Sequence, residues 1–178
     1  TNESPYYSGR PGTVGDRAGN FSVQNADFVL VLGSRLNIRQ VSYNWKSFAS
    51  KAWISMVDVD LAELDKPTLS IDLKVHARLE DFIPCFKISL KEYSSKDDHQ
   101  KYLSWCRDCV KKYPTVLPEY RNNINKLNPY VFMEELFQKL DEDDVIVTGN
   151  GSACVVSFQA AYIKNGQRLF TNSGSASM

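Results

Sequence analysis

With 178 residues, 43% hydrophobic and 12% aromatic, the chain can bury the core of one large domain or two small ones, which sets disorder aside. Twenty-one basic residues balance twenty-one acidic ones, so the charge that draws a protein to nucleic acid or an anionic membrane is missing and a small-molecule or protein partner is expected. No apolar run approaches the roughly 20 residues of a membrane span, and Thr1 to Arg10 lacks the basic-then-apolar layout of a secretory signal, so the expected location is cytoplasmic.

Gly9, Pro11, Gly12 and Gly15 make the first twenty residues a loop, with a helix cap expected near Asn20. Phe28 to Leu32 is a continuous apolar run closed by Gly33, the pattern of a parallel strand buried on both faces. Val41 to Ser50 reads as helix, and Ala52 to Val57 as a second buried strand that ends in Asp58-Val-Asp60. A turn of helix over Ala62 to Leu64 stops before Pro67, and Ser70 to Val75 is a third strand. Leu79, Phe82, Ile83, Phe86 and Leu90 recur at helical spacing, with Pro84 calling for a break or an early first turn.

From Lys91 the composition turns polar, with one helix over Asp97 to Lys112. Asn128-Pro129 supplies an N-cap and a proline in the first helical position for a helix through Leu140. An acidic turn, Asp141 to Asp144, then leads into the β-branched strand Val145 to Thr148, and a last strand covers Arg168 to Thr171. The expected fold class is α/β. An incomplete, Rossmann-like open parallel sheet with flanking helices occupies residues 1–90, a helical linker 91–127, and the opening βα units of a second α/β domain 128–178.

The chemistry concentrates at strand ends. In Thr148-Gly-Asn-Gly-Ser-Ala153 the glycines let the backbone turn tightly into a helix capped by Ser152, a geometry that presents N–H groups to an anion. Glycines at such a turn also serve plain close packing, and the motif alone leaves both readings open. Gly33 and Arg35 lie just past the first strand, where a guanidinium suits a nucleotide phosphate or a surface ion pair. Asp58 suits a ribose contact or a helix cap. Cys106 and Cys109 have no second pair to complete a zinc site, and their helical setting is wrong for a thioredoxin-like centre. His76 and His99 have no clustered partners, so no residue is assigned as catalytic and none as a metal ligand.

Gly9-Arg-Pro-Gly-Thr13, Gly15-Asp-Arg-Ala-Gly-Asn20, Val23 to Arg39 and the two C-terminal motifs occur in one order. Together they resemble the thiamine-diphosphate enzymes of the acetolactate synthase type. The resemblance implies most of a central Rossmann-like domain followed by the opening of the domain that holds the cofactor diphosphate through magnesium. It places Gly151, Ser152 and Ala153 beside the diphosphate, and Ala176 and Met178 beside the aminopyrimidine. In synthases that also carry FAD, the contacts match Gly9 to Gly12, Gly33 to Arg35 and Asp58. The family's magnesium-holding segment would follow Met178, and its activating glutamate and the first strand of the central domain would precede Thr1.

The implied activity of the parent enzyme is decarboxylation of a 2-keto acid, followed by carboligation or protonation, in a homo-oligomer; the chain alone is expected to be inactive. Ser152 stands where the pattern often has glutamine and Ala153 where it often has histidine, which favours a related decarboxylase or ligase over acetolactate synthase in the strict sense. Two other classes compete with this reading: a free-standing nucleotide-binding module without catalysis, and a structural module that supports oligomers.

Overall fold

The computed structural model describes residues 1–122 and 126–171. Helix α1 (Arg17–Gln24) leads into strand β1 (Phe28–Leu32), and the short helix α2 (Ile38–Val41) with a 3-10 turn at Trp45–Ser47 crosses to β2 (Trp53–Asp58). Helix α3 (Leu61–Leu64) crosses to β3 (Leu73–His76), and helices α4 (Leu79–Ser89) and α5 (Asp97–Lys112) follow. Helix α6 (Pro129–Lys139), strand β4 (Val145–Thr148), helix α7 (Ser152–Ala160) and strand β5 (Arg168–Thr171) complete the order. The first three strands form a parallel sheet in the order β1-β2-β3, and β4 pairs in parallel with β5. The α/β class and the parallel sheets are therefore as the apolar runs predict.

One core lies on a single face of the first sheet. Val31, Ile54 and Met56 pack with Leu36, Val41, Phe48, Ala49 and Leu64, so both crossovers cover the same face, as a common handedness requires. Burying each of these larger side chains contributes about 1.5–3 kcal/mol. The opposite face is less covered. Phe28 and Trp53, partners in the β1–β2 register, stack with ring centroids 5.6 Å apart and remain 49% and 46% exposed. The expectation of burial on both faces thus holds for β2 but not for β1, which pairs on one side only among the described residues. In β4, likewise, Val145 and Val147 are exposed, while Thr148 is buried.

Several boundaries depart from the expected ones. The stretch 41–50 is not one helix: Ser42 takes φ 65°, ending α2, and the chain resumes as the 3-10 turn. Strand β3 starts at Leu73 and not at Ser70, because Asp72 is drawn to β2 by its side chain as well as its backbone: Ile54 N donates to the carboxylate at 2.7 Å, and Asp72 N donates to Ile54 O at 2.9 Å. Pro84 lies inside α4 without breaking it, on an exposed helix with no buried residue, where the carbonyl it leaves without a donor can reach water. Asp16, not Asn20, caps α1, accepting from Gly19 N at 2.6 Å. Asn20 sits within α1 and ties the preceding loop to it, bonding Gly12 N at 2.8 Å and Gly12 O at 3.1 Å.

Helix α5 follows its expected bounds and lies along α1. Cys106 and Cys109 are buried there as free thiols, and the Phe21 and Tyr113 rings meet at 5.1 Å. In the second sheet, Asn128 caps α6 through Tyr130 N at 2.9 Å. Helix α6 packs on α7, Ser157 Oγ lies 3.4 Å from Met133 Sδ, and Phe137, Cys154 and Ser157 are buried.

Candidate functional site

Strand β4 delivers the chain to Gly149, and α7 starts three residues later. The helix is capped by Gly151 at φ 69° and ψ −138°, with no side-chain cap hydrogen bond, so Ser152 is the first helical residue and not the cap. An L side chain is strained in that conformation, and this accounts for glycine at 151. The first backbone bond of α7 runs from Val155 N to Gly151 O at 3.1 Å. The N–H groups of Ser152, Ala153 and Cys154 therefore precede the helical ladder.

Among the described residues, a Cβ built on Gly149 or on Gly151 would meet nothing within 4 Å. This counts against the close-packing alternative at these two positions. The other glycine-rich segment behaves in the opposite way: a Cβ at Gly9 would lie 2.3 Å from the Asp16 carboxylate, and one at Gly19 2.4 Å from the Arg10 carbonyl carbon. The Gly9 to Gly19 glycines are thus filled by the protein itself, whereas the β4–α7 turn is open. Open backbone at a helix N-terminus fits a diphosphate, because unpartnered N–H groups and the helix dipole both favour negative charge.

Gly33 and Asp58 come together at the carboxyl edge of the first sheet, where Gly33 N donates to Val57 O at 2.9 Å. Gly33 takes φ 59°, and Arg35 and Leu36 are also left-handed at 59° and 44°. Asp58 is 4% exposed and accepts from Asp60 N at 2.9 Å, so its carboxylate organises the turn into α3. Arg35 reaches Glu63 at 3.9 Å in an exposed pair, worth little in water. Gly33, Arg35 and Asp58 thus border one sheet, while Gly151, Ser152 and Ala153 border the other. Ala176 and Met178 lie outside the described residues.

A cavity of about 540 Å³ sits away from both strand edges, between the N-terminal segment, the end of α5, α6 and the end of α7. Its polar lining is engaged internally. Asp16 accepts from Arg10 N and Gly19 N, Lys164 donates to the carbonyls of Gln138 and Leu140, and Gln159 donates to Gly15 O. Size alone does not make it the reaction site. Among the described residues, no group of three or more His, Cys, Asp or Glu could hold a metal ion, and no helix is long and apolar enough to cross a membrane.

Residues 1–85 match the family described as thiamine pyrophosphate enzyme, central domain. That match takes in just under half of the chain. Along nearly its whole length the chain is similar to acetolactate synthase large subunits. It is 24% identical over 174 residues to the acetolactate synthase isozyme 2 large subunit of Escherichia coli, covering 98% of this chain and 30% of that protein. The isozyme 1 large subunit of the same organism is 26% identical over 177 residues, covering 98% and 29%. The acetolactate synthase large subunit of Lactococcus lactis is 26% identical over 170 residues, covering 96% and 28%. The chain thus spans about 30% of the length of the curated relatives it matches. The likeness extends past residue 85, into the part that contains the β4–α7 turn.

Residue spacing did not single out Arg10 for a structural role. Its guanidinium joins the N-terminal segment to the end of α7, donating to Phe158 O at 2.8 Å and to Ala161 O at 2.7 Å. The partners are 148 and 151 positions away, so no local pattern reports the contact.

Proposed function

We propose that this chain is part of a longer enzyme that depends on thiamine diphosphate and magnesium and acts on a 2-keto acid. In this reading, residues 1–90 serve as its central domain, 91–127 as a helical linker and 128–178 as the opening of its diphosphate-binding domain. The observation that carries the reading is the turn at Gly149 and Gly151, where a Cβ would meet none of the described residues within 4 Å and which leads into the first N–H groups of α7, ahead of its helical ladder. Gly151, Ser152 and Ala153 would hold the diphosphate through backbone N–H groups, and Ala176 with Met178 would meet the aminopyrimidine. When bound, thiamine diphosphate supplies the electron sink for decarboxylation of the keto acid. The residues of this chain bind and orient it. The acetolactate synthase relatives support carboligation as the outcome, and assembly into a homo-oligomer belongs to the same proposal.

The test is decarboxylation of pyruvate by the full-length protein with thiamine diphosphate and magnesium, alongside the 178-residue chain. Turnover by the former and none by the latter is expected. Saturable binding without turnover by the full-length protein would sink the catalytic reading. A second reading, a nucleotide such as FAD at the carboxyl edge of the first sheet, draws on the meeting of Gly33 and Asp58 there. Calorimetric titration with FAD tests it, and unchanged heat on addition of FAD would reject it.

A further inference from the structure

Helix α7 carries the open turn at its N-terminus and has no basic residue in its own last turn. Its C-terminal carbonyls are served instead by Arg10 of the N-terminal segment. One guanidinium nitrogen donates to Phe158 O at 2.8 Å; the other donates to Ala161 O at 2.7 Å and to the Asn2 side-chain oxygen at 2.8 Å. The same Asn2 oxygen accepts from Ile163 N at 3.1 Å, and Asn2 N donates to Ile163 O at 3.2 Å. Gln159 adds a bond to Gly15 O at 3.1 Å. Arg10 is itself fixed: its backbone N–H donates to Asp16 at 2.7 Å, its carbonyl accepts from Asp16 N at 2.8 Å, and its guanidinium lies 5.8 Å from the Tyr7 and Phe158 ring centroids.

Such an arrangement has a mechanical consequence. A nine-residue helix is about 13 Å long and behaves as a short rigid rod, so holding one end fixes where the other end points. A cation at the C-terminus also complements the helix dipole whose positive end faces the open turn. We propose that Arg10 is a positioning residue for the diphosphate site: anchored by Asn2 and Asp16, it clamps the C-terminus of α7 and so aims the N–H groups of Ser152 to Cys154. This rests on the function proposed above. It adds a residue of the first unit that touches no cofactor atom and acts through the helix.

The test compares Arg10→Met, Arg10→Lys and Arg107→Met in the full-length protein, measuring thiamine diphosphate affinity by calorimetry and thermal midpoint for each. Arg107 holds the same N-terminal segment through Pro5 O, and among the described residues neither of these hydrogen bonds goes to α7, so it controls for loosening of the segment alone. Arg10→Met is expected to weaken cofactor binding roughly tenfold or more, the scale of a small misplacement of binding groups. Arg10→Lys should recover part of that loss, since an ammonium can reach one carbonyl but cannot span both. Arg107→Met should lower the midpoint and leave affinity within about twofold. If Arg10→Met does not fold, Asn2→Ala removes the oxygen that orients the guanidinium, together with its bond from Ile163 N, and should weaken binding in the same direction. Unchanged affinity in the Arg10 variant that folds, or an equal loss in Arg107→Met, overturns the proposal. No binding by the unaltered protein would instead refute the diphosphate site itself, and the positioning role with it.

Discussion

Replacing each glycine of the β4–α7 turn by alanine separates backbone strain from ligand space. At Gly151 the conformation, φ 69° and ψ −138°, is one an L residue enters at about 1–3 kcal/mol, while restriction of the unfolded chain returns about 0.4–1 kcal/mol. The described residues add no steric term to this, because the new Cβ meets none of them within 4 Å. Gly151→Ala should therefore lose about 1–2 kcal/mol in urea denaturation, net of the two effects. Gly149 has no left-handed φ and equally open space, so Gly149→Ala should be neutral or stabilising by up to about 1 kcal/mol without cofactor. With thiamine diphosphate the order changes, since a Cβ at 149 occupies space that the ligand would fill, and both variants should bind more weakly. A Gly149→Ala protein with unaltered stability and unaltered cofactor affinity would refute the reasoning, as would a Gly151→Ala protein more stable than its parent.

Two other expectations follow from single side chains. Phe137 of α6 is fully buried, and Phe137→Ala should cost about 3–5 kcal/mol in chemical denaturation; a cost under about 1 kcal/mol would show that this core is not formed. The pKa of Tyr102 is raised from its ordinary value of 10.0, by burial first and by the neighbouring Cys106 next, and its hydroxyl donates to Ser22 O. The folded state thus holds the neutral phenol. Its contribution is fully present below pH 10.0 and is lost as the pH rises above that value. Urea midpoints from pH 8 to 11 should fall more steeply for the parent protein than for Tyr102→Phe, and parallel profiles would contradict the assignment.

Legibility of the fold followed the range of the interactions. Phe28 to Leu32 is an unbroken apolar run and Trp53 to Val57 one interrupted only by Ser55, and their β-branched and aromatic content declares strands; Asn128-Pro129 declares the start of α6 because cap and proline act within one turn. Ser42 was illegible as a break, since serine has no general preference for φ 65°, and its conformation is set by the packing of Val41 and Phe48 into one core. The late start of β3 depends on Asp72 reaching Ile54, a pairing 18 residues apart. In the candidate site, the glycines of the β4–α7 turn were visible from their spacing, but whether they were packed or open required the surroundings. Arg10 was visible as a residue and not as a clamp, because its acceptors are carbonyls with no side-chain signature.

The central claim is that the β4–α7 turn belongs to a thiamine diphosphate site. Calorimetric titration of the full-length protein with thiamine diphosphate, with and without magnesium, tests it most directly. Saturable binding of one cofactor per chain that requires the cation and weakens in Gly149→Ala is the predicted result; a titration with no binding, or with binding indifferent to Gly149→Ala and Gly151→Ala, would contradict it.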